Sequence, residues 1–223
     1  WNGFTTHWYA AIWDNPQALS AARNTLLLAG CSTLISTLLG TALAYGWTRF
    51  HFPGRRWISG LLHIPIFIPD IVLAVALLLL YSLVSPWLRF FELGLPTMVL
   101  AHVTFQIPFV AIVVRARLAG LDPALEEAAR DLGASGRQKF RHVTLPLMMP
   151  GILAAAMLAF TLSLDDFVVS FFTSGPGSTT LPILIYSSVK RGITPDINAL
   201  STLIILASIL GTVSVMLLQR KNR

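Results

Sequence analysis

The sequence predicts an all-α protein that crosses a membrane several times. Three observations carry that prediction. Of 223 residues, 55% are hydrophobic, and the mean hydropathy is +0.70. Charged residues make up 12%, about half the share of a soluble domain. The apolar residues also gather into runs of about twenty, the length a helix needs to cross a hydrocarbon core. The net charge of +6 could suggest a nucleic-acid partner, but the basic residues flank the apolar runs. That is juxtamembrane charge, not a phosphate-binding face. The single cysteine, Cys31, lies inside an apolar run, which excludes a disulfide or cysteine metal cluster within the chain. The sequence starts at Trp1 with no basic n-region and no cleavage pattern, and an upstream segment is expected.

Residues 1–20, WNGFTTHWYAAIWDNPQALS, are rich in aromatics, with Asp14 as their one charge. Trp1, Trp8, Tyr9 and Trp13 suit a membrane–water interface, so this is an interfacial packing segment without chemistry. Span A covers Leu26–Trp47. Its Gly30, Ser32, Ser36, Gly40 and Ala44 form a small-residue face of the kind that packs helices in lipid. A basic link, Thr48–Arg56, leads to span B, Trp57–Val84, which holds Pro65, Pro69 and Asp70. A short link, Ser85–Leu95, precedes span C, Pro96–Val114, with His102 and Pro108. The loop Arg115–Pro146 carries six Lys/Arg. Span D is Leu147–Phe172. The loop Thr173–Asn198 contains a break at SGPGSTTLP, then an apolar stretch Ile183–Val189 expected to be a re-entrant or surface helix. Span E, Ala199–Leu218, is opened by Thr194-Pro195-Asp196, and the chain ends Gln-Arg-Lys-Asn-Arg.

Loops Thr48–Arg56 and Arg115–Pro146 and the C-terminus hold twelve of the sixteen Lys/Arg. The positive-inside rule therefore predicts that these three segments are cytoplasmic.

Within the basic loop, Asp122 is an N-cap and Pro123 a first helical residue. Leu125, Ala128, Ala129 and Leu132 follow at i, i+3, i+4 and i+7, making one narrow apolar face. Glu126 and Arg130 are expected to pair at i, i+4 on the other side. Gly133 falls where a left-handed C-cap is wanted. A helix this short is not stable alone in water and is expected to dock against something.

Acids at membrane depth default to a cavity, partner or pathway. Asp165 lies eighteen residues beyond Leu147 and Asp70 thirteen beyond Trp57, roughly 27 and 20 Å along straight helices. Both then fall in the outer half of their spans. Thr161, Ser163 and Ser170 sit at helical spacings from Asp165 and Asp166 and could orient them. One of the adjacent acids could face a path and the other a partner helix; interhelical bonding or capping would explain either alone. Pro65 and Pro69 loosen the backbone near Asp70. His102 is expected to be a packed or interfacial residue rather than a ligand. The sequence holds no G-x-x-x-x-G-K-[ST], no H-E-x-x-H and no G-x-S-x-G. An ATP-driven machine built on this chain would need its ATPase on another.

The stretch EAARDLGASGRQKFRHVTLP, Glu127–Pro146, has E-A-A, three residues, Gly133, nine residues, Val143, then Leu145-Pro146. It resembles the EAA loop of the membrane subunits of bacterial ABC importers. IPIFIPDIV (64–72), FTLSLDDFVV (160–169), SGPGSTTLPILIYSSVKRGITPDINALST (174–202) and the N-terminal WNGFTTHWY resemble the spermidine/putrescine (polyamine) permeases of that class. The resemblance implies a type I ABC-importer transmembrane domain with five spans present and a sixth, N-terminal span upstream. It implies one permease domain over residues 1–223 with the EAA coupling loop at 115–146. Glu126, Glu127, Ala128, Ala129, Arg130 and Gly133 would couple to the ATPase; Asp165, Asp166 and Asp70 would line the substrate path. The implied partners are a second, homologous but different permease, two ATP-binding subunits and an extracytoplasmic binding protein, in a bacterial inner membrane. No cofactor is expected on this chain, ATP and Mg being held by the ATPase. Related permeases carry iron, phosphonates or other small solutes. Broken helices with acids also fit a secondary transporter, but such a protein has no use for an ATPase-docking helix.

Overall fold

A computed structural model describes residues 5–51, 53–191, 195, 198–203, 205, 206 and 209. Most of span E, Thr194 and Asp196 of its expected start, and the basic C-terminus lie outside the described residues. The order is α1 (His7–Ala11), a 3-10 turn (Ile12–Asp14), α2 (Pro16–Arg49), α3 (Arg55–Phe67), α4 (Asp70–Val84), a second 3-10 turn (Arg89–Phe91) and α5 (Leu95–Ala119). Then come α6 (Pro123–Asp131), α7 (Gly136–Lys139), a π-helical turn (Phe140–Thr144), α8 (Leu145–Leu164), α9 (Val168–Thr173) and α10 (Leu181–Arg191). Pro16–Arg49, Leu95–Ala119 and Gly136–Leu164 are each long and apolar enough to cross a membrane; Gly60–Phe67 and Asp70–Val84 qualify as a fourth span only when taken together.

Two of the expected spans are broken. In span B, Ile68 precedes Pro69, whose ring disfavours the helical region for the residue before it. Ile68 is accordingly extended at ψ 131°, and α3 ends there. Asp70 is thus the first residue of α4, not a mid-helix residue, and a straight-helix rise does not give its depth. In span D, α8 ends at Leu164, and Asp165–Phe167 separate it from α9. Neither Asp165 nor Asp166 is helical, so the rise from Leu147 does not place them either.

The chain divides into two compact units. One comprises Ser32–Ile68 and Val103–Phe160. Its core joins Ala44 and Trp47 of α2, Leu62 of α3, Val110, Ala111, Val114 and Leu118 of α5, and Met148, Ala155 and Ala159 of α8. Ser32, Ser36, Gly40 and Ala44 form the buried four-residue stripe. A Cβ at Gly40 would meet Val110 Cγ1 at 2.6 Å, so α2 and α5 approach there through the missing side chain. Gly30 departs from the expected face: it is exposed with open space around it, because two residues turn a helix by about 200°. The buried Gln106 stitches three helices. Its Nε2 donates to Ser32 Oγ (3.3 Å) and the Ala159 carbonyl (3.0 Å), and Ser36 Oγ donates to its Oε1 (2.9 Å). A polar group at this depth is tolerable because it is so bonded.

The other unit comprises Trp1–Cys31, Pro69–His102 and Thr161–Arg223. Ile12, Ala18, Ala21, Leu181, Ala199 and Leu200 form a core, with Trp8 and Tyr9 packed on it. Of the N-terminal aromatics, Trp8 and Tyr9 therefore pack, while Trp13 is exposed. Asn24 Nδ2 donates to the carbonyls of Gly177 (2.9 Å) and Thr179 (3.0 Å), and Thr25 Oγ1 accepts from Leu181 N (2.8 Å). These bonds fix the SGPGSTTLP break and the start of α10, the helix expected from the apolar stretch at 183–189.

Candidate functional site

The basic loop folds as its local sequence dictates. Asp122 Oδ1 accepts from Ala124 N at 2.9 Å, and Pro123 is the first residue of α6. At the other end Gly133 has φ 81°. Gly133 N donates to the Arg130 carbonyl (2.8 Å) and Ala134 N to the Ala129 carbonyl (3.0 Å). That pair of bonds is a Schellman ending, which needs the left-handed glycine. Leu125, Ala128 and Leu132 are exposed and Ala129 half-buried. The predicted apolar face exists and is uncovered in this chain. Glu127 and Arg130 are exposed beside it.

Glu126 does not behave as expected. It is buried, at 7% exposure, and its salt bridges are not with Arg130. Lys139 Nζ donates to its Oε2 at 3.0 Å; Thr144 Oγ1 (3.1 Å) and Arg49 Nη2 donate to its Oε1. Burial pushes the Glu126 carboxyl up. The Lys139 hydrogen bond, the charges of Arg49 and Lys139 and the Thr144 hydrogen bond outweigh it, so the group lies below the usual glutamate range. At about 100° of rotation from Leu125 and about 160° from Ala128, Glu126 faces away from the exposed part of the apolar stripe and lies on the same side as the half-buried Ala129. Lys139 ends α7, which sequence reading missed. The signal was there: Ser135-x-x-Gln138 is a capping box, with Ser135 N donating to Gln138 Oε1 (2.9 Å) and Gln138 N to Ser135 Oγ (3.4 Å). Arg49 had only its place in a basic link, and nothing local pointed to Glu126, 77 residues away.

The acids of the second unit sort differently. Asp166 caps the first turn of α9: its Oδ1 accepts from Val169 N (3.2 Å) and its Oδ2 from Ser170 N (2.7 Å). Its side chain is 10% exposed and approaches His102 Nε2 at 3.4 Å. His102 is fully buried, which selects the packed over the interfacial of its two expected places. Its Nδ1 lies 2.7 Å from Ser163 Oγ and its Nε2 3.0 Å from Ser170 Oγ. So Ser163 serves the histidine rather than orienting Asp166, while Ser170 meets both through its backbone and its hydroxyl. Asp165 is exposed, and Asp165 N donates to the Thr161 carbonyl (3.3 Å). Asp70 is exposed at the first turn of α4, where an acid favours the helix N-terminus. α4 packs against α9.

Residues 36–222 match the family described as the binding-protein-dependent transport system inner membrane component. The spermidine/putrescine transport system permease protein PotC of Escherichia coli K12 is 41% identical over 220 residues, 99% of this chain and 81% of that protein. The putrescine transport system permease protein PotI of the same strain is 41% identical over 226 residues, 100% of this chain and 80% of that one. The chain belongs to the binding-protein-dependent inner membrane permease family. It is therefore a membrane-embedded transport component. Solved importers share the fold: one chain of a bacterial alginate ABC transporter superposes with TM-score 0.73 at 21% identity, covering 99% of this chain and 84% of its own. A chain of the MetNI methionine ABC transporter superposes with TM-score 0.74 at 21% identity, covering 91% of this chain and 94% of its own. The permease thus has the type I importer fold expected from its EAA loop, and its EAA positions fall on α6 and its Schellman ending.

Proposed function

We propose that this permease is the membrane-spanning subunit of an ATP-driven importer that carries polyamines of the spermidine/putrescine class, delivered by an extracytoplasmic binding protein. The observation that carries the reading is the 41% identity to two polyamine permeases over 99% and 100% of the chain. The residues form a single permease domain whose α6, with its uncovered apolar face, Glu127, Arg130 and Gly133 cap, docks on a separate ATPase. Two such ATPases hold the ATP and Mg; this chain holds no cofactor. A homologous second permease completes the path in a bacterial inner membrane, with the EAA loop and C-terminus cytoplasmic.

The route for a polyamine must replace water around several ammonium groups with oxygen ligands and countercharge. Asp165 and Asp70, both exposed, are the acids best placed to do this, and Asp166 supports the backbone beside them. The complex, reconstituted with its ATPase and binding protein, should take up labelled spermidine or putrescine in competition with other polyamines. Competition by iron or a phosphonate instead would replace the polyamine reading. Asp165→Asn should cut uptake about tenfold, the scale of one modest charge–charge interaction, with binding-protein affinity unchanged. Wild-type uptake in Asp165→Asn, Asp70→Asn and the double variant would remove the acids from the path.

A further inference from the structure

The apolar face of α6 is what a partner would touch, yet the face that holds α6 to its own chain is polar. Glu126 lies in the first turn of α6, on the side away from Leu125 and Ala128. Its carboxylate gathers three donors from three elements. Arg49 is the last residue of α2, Lys139 the last of α7, and Thr144 the last of the π-helical turn that runs into α8. All of these belong to one compact unit. Glu126 and Lys139 side chains are each 9% exposed, and Arg49 25%. The donors come from positions 77, 13 and 18 residues away in sequence.

Such a node is stiff. Each bond is charge-assisted or made to a charged acceptor, the class that is short and directional. Water has little access to replace a bond that lengthens, so sliding α6 against Arg49 or Lys139 would strand a buried charge. The π turn adds a reason for the geometry: its wider backbone lets Thr144 face the carboxylate just where α8 begins. Apolar contacts, by contrast, are non-directional and tolerate sliding.

We infer that Glu126 is a positioning residue for transport, the joint through which displacement of α6 is passed to the ends of α2 and α8. On this view Glu126 does not face the ATPase at all; Glu127 and Arg130 do. The inference rests on the reading that a separate ATPase docks on α6. Breaking the joint should leave the helix docked but disconnect it.

The test uses the whole reconstituted complex in lipid. ATPase rate is measured with and without solute-loaded binding protein, together with uptake per ATP hydrolysed. Glu126→Gln keeps shape but removes the charge. It should assemble at wild-type level, keep the unstimulated ATPase rate, and lose about tenfold in stimulation and in uptake per ATP, the usual scale of a coupling between sites. Lys139→Gln should do the same, whereas Lys139→Arg, which keeps the charge, should retain coupling. The exchange Arg49→Glu with Glu126→Arg should recover part of what Arg49→Glu alone loses. An assembled Glu126→Gln complex with wild-type stimulation overturns the inference. So does loss of assembly in every variant including Lys139→Arg, since the node would then merely hold the fold. If the wild-type chain itself stimulates no ATPase, the docking reading fails first and the joint falls with it.

Discussion

Glu126 and Asp166 are both acids withdrawn from solvent, and they are satisfied in opposite ways. Glu126 takes two full cations and a hydroxyl from elements remote in sequence. Asp166 takes backbone N–H groups three and four residues ahead, with His102 across from it. The first acid ties distant pieces together; the second shapes the chain next to it. The difference follows from where each sits. At the ends of their helices, Arg49 and Lys139 can bring full charges to the carboxylate, and pairing offsets the cost of withdrawing the three groups from water. Within an apolar span full charges are costly, so the acid is met by amide dipoles and by an imidazole with both ring nitrogens engaged. One consequence is mechanical: breaking the Glu126 group should loosen an element, while breaking the Asp166 group should unravel a turn.

The comparison is tested hardest by Glu126→Leu. It strands the Lys139 and Arg49 charges and should cost about 3 kcal/mol, read as a lower thermal midpoint of the purified permease in lipid nanodiscs. An unchanged midpoint would mean that the two cations rehydrate and that the node is weak. The effect should depend on pH in a defined direction. Because the folded Glu126 carboxyl lies below its ordinary value, its contribution is full above the ordinary glutamate pKa of about 4.3 and fades as pH falls through the lowered one. The gap between wild type and Glu126→Leu should therefore hold steady near neutral pH and close only in acid.

His102→Leu comes next. It removes the ring that Ser163, Ser170 and Asp166 all approach and leaves buried hydroxyls with fewer partners, for about 2 kcal/mol. Amide exchange at Val169 and Ser170 should rise in this variant if Asp166 depends on His102 to stay in place. If exchange there is unchanged, the cap holds on its backbone bonds alone and Asp166 needs no partner across from it.

The smallest expected change in stability is from Gly133→Val, about 1 kcal/mol for a side chain at positive φ. Its functional effect should exceed its stability effect, since it re-aims the end of α6: uptake should be lost while the subunit is still inserted. Wild-type uptake in that variant would show that the exit geometry of α6 is not what the ATPase reads.

Sequence alone determined what depends on near neighbours and on total composition. Hydropathy set the membrane class. Asp122-Pro123 and Gly133 set both ends of α6, because an N-cap and a Schellman glycine act within six residues of chain. The spacing of the EAA loop carried the family, which the match over residues 36–222 shows. The Ile68-Pro69 break was half legible: proline predicted a disturbance, but not that Asp70 would start a new helix. Tertiary structure decided the partners of charges. The i, i+4 spacing of Glu126 and Arg130 favoured a pair worth a few tenths of a kcal/mol on an exposed face. A buried carboxylate with Lys139, Arg49 and Thr144 around it outweighs that easily, and only the folded chain brings positions 49, 126, 139 and 144 together. The same holds for His102, whose serines and acid lie more than sixty residues away and meet it only because α5 packs beside the break that ends α8.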